Sequence, residues 1–232
     1  MEALLLAGGK GERLGEAAGG LPKPLVPVAG RPLASYALSR LAAAGVDRVI
    51  VACAAGLEGD FERELAGYGP EIVAVGEQAP LGRGGGLRLA ASARLEDGPV
   101  LAANGDEILD VELGALLAAH GESAAAATIV VAPMPSAFGV VELGVDDRVT
   151  AFMEAPRLPH WVNAGLYVLG DDALGRLPER GDHETLTFPQ LAAEGRLAAY
   201  RHEGLWLTVN TPKDLRRAEE VLGGELEPAA VR

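Results

Sequence analysis

Continuous apolar runs alternate with longer helical patterns through the first half of the chain, and this alternation narrows the folds open to it. Apolar runs without polar alternation are typical of parallel strands buried on both faces. Strands separated by helices build βαβ units, so the sequence predicts an α/β fold with a Rossmann-like, mixed but mostly parallel sheet flanked by helices. The predicted strands are 2–7, 47–53, 71–76, 99–103 and 124–132, and the predicted helices are 31–45, 57–67, 84–95 and 111–120.

The pattern changes after about residue 133, where shorter strand-like segments follow one another with turn residues between them. No linker or internal repeat separates the two halves. We therefore predict one domain over residues 1–222, made of a first part (1–133) and a second lobe (134–222), followed by a frayed tail (223–232). In the lobe the predicted strands are 138–143, 148–154, 162–169 and 197–201, and the predicted helices are 184–194 and 212–222.

Composition and charge exclude several classes of function. The 232 residues carry a net charge of −13, which argues against a nucleic-acid polymer as partner because such proteins need a basic face. No run of about 18 apolar residues occurs, so neither a membrane span nor a membrane partner is predicted. An apolar strand begins at residue 2 with no basic segment before it, so a signal peptide is not expected. The single cysteine, Cys53, excludes an internal disulfide and a cysteine-based zinc site, and the cytoplasm is the simplest location.

A glycine-rich loop follows the first predicted strand and is the strongest functional signal. Gly8, Gly9 and Gly11 allow the backbone to approach a phosphate group closely and to direct N–H groups at it. Arg13 and Lys23 add positive charge, the first as a fork for two oxygens and the second as a compact point charge. The loop therefore predicts a site for a phosphorylated ligand.

Two other phosphate-binding motifs fit this loop less well. A P-loop needs Ser or Thr after its Gly-Lys pair, whereas Gly9-Lys10 is followed by Gly11. A dinucleotide fingerprint needs an acidic residue about 20 positions further on for the ribose, and residues 17–46 contain none.

A polar tripeptide, Asn104-Gly105-Asp106, follows the predicted strand 99–103. A carboxylate at a strand end facing a phosphate loop is a natural Mg²⁺ ligand, because Mg²⁺ takes few protein oxygens and completes its shell with phosphates and water. The same composition also favours an ordinary turn. The tripeptide alone leaves both interpretations open.

With these residues in place, 6–33 resembles the signature of the sugar-phosphate nucleotidylyltransferases, and the resemblance continues along almost the whole chain. It implies transfer of a nucleotidyl group from a nucleoside triphosphate to a sugar 1-phosphate, with Mg²⁺ as cofactor and pyrophosphate as the second product. It implies catalytic roles for Arg13, Lys23 and Asp106. It also implies nucleotide contacts from Leu6, Ala7, Gly8, Gly9, Gly11, Gln78, Pro80, Gly82, Asn104 and Gly105.

The resemblance also places a sugar-binding lobe in the C-terminal half, with contacts from Gly139, Glu154 and Asn163. The family usually has a lysine directly after that glutamate to hold the sugar phosphate. This chain has Ala155, and Arg157 is the expected substitute.

Two further departures from the family pattern concern charge. The metal-binding carboxylate expected near the end of the chain is replaced by Thr208 or by Asn210, according to which family pattern is compared, so Asp106 and Asn210 are the predicted metal ligands. The family usually has Thr-Ala after the glycine at position 82, where this chain has Arg83-Gly84, and the sequence leaves open whether Arg83 contacts phosphate or solvent.

The resemblance favours GTP with mannose 1-phosphate or a heptose 1-phosphate as substrates. The alternatives are dTTP or UTP with glucose 1-phosphate, a cyclitol phosphate acceptor, or a nucleotide-binding protein with weakened catalysis. Relatives often form homo-oligomers, so self-association is a further expectation. The last family motif lies close to residue 212, and no left-handed β-helix is expected after it.

Overall fold

The first strand, β1 (Glu2–Leu6), occupies an inner position of the sheet because Ala3, Leu4 and Leu5 are all fully buried. It pairs in parallel with a strand on each side. The computed structural model describes residues 1–8, 12–136 and 138–224, with the side chains of Glu12 and Arg13 outside that description. The predicted cradle residues Gly9 and Gly11 and most of the predicted tail lie outside the described residues.

The central sheet has seven strands in the order β12-β8-β11-β6-β1-β4-β5. β11 is antiparallel to both of its neighbours, and all other neighbouring strands are parallel. The predicted mixed, mostly parallel sheet is therefore confirmed. The strands other than β1 are β4 (Arg48–Ala54), β5 (Glu71–Glu77), β6 (Val100–Asn104), β8 (Ala127–Pro135), β11 (Arg157–Leu169) and β12 (Leu197–Arg201).

Helices cover both faces of this sheet and create two apolar cores. One core holds the buried faces of α1, α2 and α4, and the other those of α3, α5 and α6. The helices are α1 (Ser35–Ala43), α2 (Glu58–Leu65), α3 (Gly82–Ala91), α4 (Leu113–Glu122), α5 (Asp171–Gly175), α6 (Thr187–Ala193) and α7 (Pro212–Leu222). Within the described part of the chain, no helix is long and apolar enough to cross a membrane.

Three small two-stranded sheets lie beside the central one. Two were absent from the sequence prediction, since strands of two or three residues leave no detectable period. They are formed by β2 (Pro27–Val28) with β3 (Arg31–Pro32), by β7 (Glu107–Leu109) with β13 (Trp206–Thr208), and by β9 (Val140–Leu143) with β10 (Val149–Met153).

A third apolar core joins α7 to the segments that flank the predicted phosphate loop. Helix α7 begins with a capping box, in which the Thr211 hydroxyl and the Asp214 carboxylate satisfy each other's backbone N–H groups. Ala218 on α7 is buried in this core together with Leu14, Val28 and Leu207. Helix α7 is thereby packed against the segment that follows the predicted phosphate loop.

Several predicted boundaries were wrong. The helix predicted from residue 31 begins at Ser35, because Ala29 and Gly30 adopt positive φ angles of 47° and 82° and turn the chain into β3. The strand predicted over 162–169 begins at Arg157, and the strand predicted from 124 begins at Ala127.

Candidate functional site

The predicted phosphate loop and the predicted metal-binding turn meet where β1 and β6 end. The Gly105 N–H donates to the Leu6 carbonyl at 2.9 Å. A Cβ on Gly105 would lie 2.8 Å from that carbonyl oxygen and 3.2 Å from the Pro24 ring. Only glycine allows these three segments to approach so closely. The carboxyl ends of parallel strands thus form the crevice in which α/β proteins bind ligands.

Lys23 lies at the centre of this edge. Its Nζ donates to Asp106 Oδ2 at 2.5 Å and to Asn210 Oδ1 at 2.7 Å. The Lys23 side chain is 11% exposed and that of Asp106 29%, so the ammonium is held in place while the carboxylate still faces solvent. The two predicted metal ligands therefore converge on a single cationic group.

Asn210 reaches this cluster through the small sheet of β7 and β13. Register pairing sets Thr208 opposite Glu107, and the Val209 N–H donates to the Asp106 carbonyl at 3.2 Å. The Asn210 amide nitrogen donates to the Thr208 hydroxyl at 2.6 Å. Thr208 therefore turns the amide so that its oxygen faces Lys23.

A cavity of about 420 Å³ opens next to this cluster. Gly165, on β11, has a φ of 72°, and a Cβ there would lie 2.6 Å from Asn104 Nδ2 and 2.8 Å from Glu107 Cγ. Asn104 Oδ1 is buried without a hydrogen-bond partner. A ligand that brings a donor would satisfy this oxygen. The cavity is lined by Arg83, Asn104, Glu107, Asn163, Glu184 and Phe188.

Glu107 is a buried carboxyl group that the sequence analysis did not single out. Burial, reinforced by the neighbouring charge of Asp106, raises the pKa of Glu107 to about 8. The Trp206 indole N–H donates to Glu107 Oε2 at 2.8 Å and partly offsets that rise. The only sequence signal for Glu107 as a site residue was its position directly after Asp106.

Arg83, whose role the sequence left open, contacts carboxylates. Its guanidinium lies 2.5 Å from Glu184 and 3.2 Å from Asp182. Its backbone N–H also donates to Asp182 at 2.8 Å, and these contacts with Arg83 lower the pKa of Asp182. Glu184 in turn accepts from Asn163 Nδ2 at 2.8 Å. A chain of charged and polar groups therefore connects α3 to β11.

The predicted base-contacting residues lie on the loop between β5 and α3. Gln78 and Pro80 are exposed, and Gly82 begins α3 with a φ of 78°. Glu77 anchors this loop, because its carboxylate accepts from the Leu81 N–H at 3.0 Å. A Cβ on Gly8 would lie 2.7 Å from Glu77 Oε1, so the loop is adjacent to the end of β1, where Ala7 is buried.

Three of the predicted sugar-contacting residues are not part of the lining of the cavity that Asn163 lines. Gly139 precedes β9, Glu154 follows β10, and Arg157 begins β11. Glu154 and Arg157 are exposed. A Cβ on Gly139 would lie 3.1 Å from Glu154 Oε2, so these two residues are neighbours. None of the three is among the described residues that line the cavity.

No group of three or more His, Cys, Asp or Glu side chains in the described ranges could hold a metal ion. A metal at this edge would rely on Asp106, Asn210 and ligand oxygens. Of the predicted catalytic residues, Lys23 and Asp106 are in contact, whereas the side chain of Arg13 lies outside the described part.

Comparison with known proteins identifies the family. The family model described as "Nucleotidyl transferase" matches residues 2–223. The chain belongs to the nucleotidyl transferase family. A curated relative, mannose-1-phosphate guanylyltransferase from Mycobacterium tuberculosis, is 34% identical over 240 residues, covering 99% of this chain and 66% of the relative. This nucleotidyl transferase chain spans 62 or 63% of six further guanylyl- or guanyltransferases at 33–35% identity.

Solved structures show the same fold. The crystal structure of HddC from Yersinia pseudotuberculosis complexed with GMP-PN matches with a TM-score of 0.73 and 20% identity, covering 95% of this chain and 99% of that one. A putative glucose-1-phosphate thymidylyltransferase from Bacillus anthracis, in complex with a sucrose, matches with a TM-score of 0.75 and 18% identity, covering 95% of each chain.

Proposed function

We propose that this nucleotidyl transferase joins a nucleoside monophosphate unit to a sugar 1-phosphate. An oxygen of the sugar phosphate attacks the α-phosphorus of the triphosphate. A new P–O bond forms, the bond from the α-phosphorus to the bridging oxygen breaks, and pyrophosphate leaves with that electron pair. The attacking oxygen is already anionic, so the step needs no general base. The observation that carries the proposal is the convergence of Lys23, Asp106 and Asn210 beside a polar cavity.

Catalysis in this scheme consists of positioning and charge neutralisation. Lys23, held by two oxygens, is placed to neutralise phosphate charge at the strand edge. Arg13 and the backbone of the loop after β1, from Leu6 through Gly11, are proposed to bind the triphosphate. The exposed loop with Gln78, Pro80 and Gly82 is proposed to contact the base. Asn104 and Gly105, at the end of β6, are proposed to lie beside the nucleotide.

Mg²⁺ is the proposed cofactor, and the residues present fit it. Asp106 supplies a carboxylate and Asn210 an amide oxygen, and both already face one cation, the Lys23 ammonium. Hard oxygen donors in small number suit Mg²⁺, which completes its shell with phosphates and water. When bound, the ion supplies charge neutralisation at the phosphates. Thr208 contributes by orienting the amide.

The proposed acceptor is a sugar 1-phosphate, and the proposed donor is GTP. Curated relatives are named mannose-1-phosphate guanylyltransferases, and a structural neighbour is complexed with GMP-PN. We place the sugar ring against Asn163, with Gly139, Glu154 and Arg157 contributing from the second lobe. The proposed organisation is one domain over 1–222 with its nucleotide part in 1–133. We also propose that the protein lies in the cytoplasm and self-associates.

The test is pyrophosphate release with Mg²⁺, with GTP, ATP, CTP, UTP and dTTP crossed against a panel of sugar and cyclitol 1-phosphates. Release with GTP and mannose 1-phosphate or a heptose 1-phosphate is the expected result. Release with dTTP or UTP and glucose 1-phosphate would keep the reaction but replace the substrates. Nucleotide binding without release from any pair would overturn the proposed reaction.

A further inference from the structure

Two of the side chains that line the cavity beside the catalytic edge offer hydrogen-bond acceptors to a ligand. Asn104 Oδ1 is buried and has no partner. Glu184 has a side chain that is 24% exposed and contributes a carboxylate to the lining. An ionised carboxylate has about four lone-pair sites. The ligand that fits such a surface presents several hydroxyl donors.

The hydrogen bonds of Asn163 are already used within the protein. Its amide nitrogen donates to the Tyr167 hydroxyl at 2.9 Å and to Glu184 Oε1 at 2.8 Å. Its oxygen accepts from the Gly165 N–H at 3.0 Å. Both amide hydrogens are therefore spent, and Asn163 can offer a ligand only a second lone pair on its oxygen.

Glu184 retains free capacity in the same place. Oε1 accepts from Asn163 and lies 3.4 Å from the Tyr167 hydroxyl, and Oε2 faces the Arg83 guanidinium at 2.5 Å. These partners fix the carboxylate from two sides and leave acceptor sites directed at the cavity it lines. A carboxylate held in this way is pre-organised for hydroxyl groups.

The local charge also selects which end of the acceptor lies here. Arg83 is the cation among the described residues that line the cavity, and it is shared by two carboxylates, Asp182 and Glu184. The three groups together are net negative, so a phosphate dianion would be repelled. The phosphate end of the acceptor would lie towards Lys23 instead, where a cation faces the strand edge.

We propose that Glu184, supported by Asn104, binds the ring hydroxyls of the sugar 1-phosphate, and that Asn163, which lies beside the ring, also orients Glu184. The inference rests on the proposed function and assigns the specificity for the acceptor ring to residues the sequence analysis had not chosen or had assigned to the nucleotide. It also makes Arg83 a support for Glu184 rather than a phosphate ligand.

The experiment compares the wild type with Glu184→Gln by titration calorimetry, using GTP and, separately, mannose 1-phosphate and its monodeoxy analogues. Glu179→Gln is the matched control, since it makes the same change five residues earlier on an 89% exposed side chain. We expect Glu184→Gln to raise the Kd for mannose 1-phosphate at least about tenfold, the scale of a hydrogen bond to a charged group. The Kd for GTP should stay within about twofold, and Glu179→Gln should match the wild type in both titrations.

The deoxy analogues separate direct contact from support of the fold. In the wild type, removal of the hydroxyl that donates to Glu184 should raise the Kd about tenfold. In Glu184→Gln the same removal should leave the Kd nearly unchanged. Equal sensitivity of both proteins to every analogue would overturn the proposal, as would a normal acceptor Kd in the variant. Loss of GTP binding as well would assign Glu184 to the fold and would overturn the proposal. Glu184→Asp, which keeps the charge, would be titrated with the same ligands.

These titrations, taken together with the pyrophosphate assay, distinguish this proposal from the proposed function. If the wild type binds the sugar phosphates but releases no pyrophosphate, the proposed reaction is refuted, and the role of Glu184 in binding can still be measured. A wild type that binds no sugar 1-phosphate would refute both.

Discussion

His183 provides a test of the structure that does not depend on any substrate. Its side chain is fully buried, and neither ring nitrogen has a hydrogen-bond partner. The ring packs edge-on against Tyr167 and Phe188, with centroid distances of 5.2 and 4.8 Å. Burial, aided by the charge of Arg83, lowers the pKa of His183 from 6.5 to about 4.

The direction of the pH effect on the unfolding free energy follows from comparing proton binding by His183 in the folded and unfolded states. Below pH 6.5 the unfolded chain binds a proton at His183, whereas the folded protein stays unprotonated until about pH 4. The neutral imidazole therefore contributes fully to the unfolding free energy above pH 6.5, and this contribution is lost as the pH falls towards 4. A pH of 5 lies about 1.5 units below the histidine pKa of the unfolded chain, and this interval corresponds to a loss of about 2 kcal/mol of unfolding free energy.

Urea unfolding of the wild type and His183→Phe at pH 7.5 and pH 5.0 measures this loss. Phenylalanine removes the titrating group and keeps an aromatic ring against Tyr167 and Phe188. The wild type should lose about 2 kcal/mol more than the variant between the two pH values. Differences in packing cancel, because each protein is compared with itself. Equal losses in the two proteins would refute the account of a buried, unpaired imidazole.

Three further substitutions test the site. Lys23→Ala should lower turnover at least about 100-fold, the effect of removing one electrostatic stabiliser, whereas Lys213→Ala on the exposed face of α7 should not; a near-normal rate for the first would contradict its role. Gly165→Ala should lower the unfolding free energy more than Gly98→Ala, because both positions have positive φ but only the first Cβ meets atoms within 4 Å; equal losses in urea unfolding would contradict the close approach. Thr208→Val should raise the Mg²⁺ concentration for half-maximal pyrophosphate release, because it frees the amide that faces Lys23; an unchanged requirement would count against that orientation.

The parallel part of the fold was predictable because its strands are continuous apolar runs. β4 was predicted over 47–53 and is Arg48–Ala54, and β5 was predicted over 71–76 and is Glu71–Glu77. The small sheet of β7 and β13 was not predictable, since its three-residue strands are joined only in the folded chain. That sheet nevertheless fixes Asn210 beside Asp106.

The candidate site was predictable in its parts and not in its contacts. The resemblance nominated Lys23, Asp106 and Asn210 separately, but the contact between Lys23 and Asn210 joins residues 187 positions apart. Glu184 was missed because it stood at the start of a predicted helix, over 184–194. The helix observed there begins three residues later, at Thr187, and leaves Glu184 free to face the cavity.

The run Gly84-Gly85-Gly86 shows how the two halves of the site are joined. The N–H groups of Gly84 and Gly85 donate to the Gly181 carbonyl at 2.9 and 3.2 Å, and the Gly181 N–H donates to the Leu81 carbonyl at 2.7 Å. A Cβ on Gly85 would lie 2.7 Å from the Glu179 carbonyl oxygen, so the glycines are what permit this contact. The loop proposed to contact the base and the segment that carries Glu184 are thus hydrogen-bonded to each other. A displacement of either segment must move the other or break these bonds, so the two substrate sites share one support.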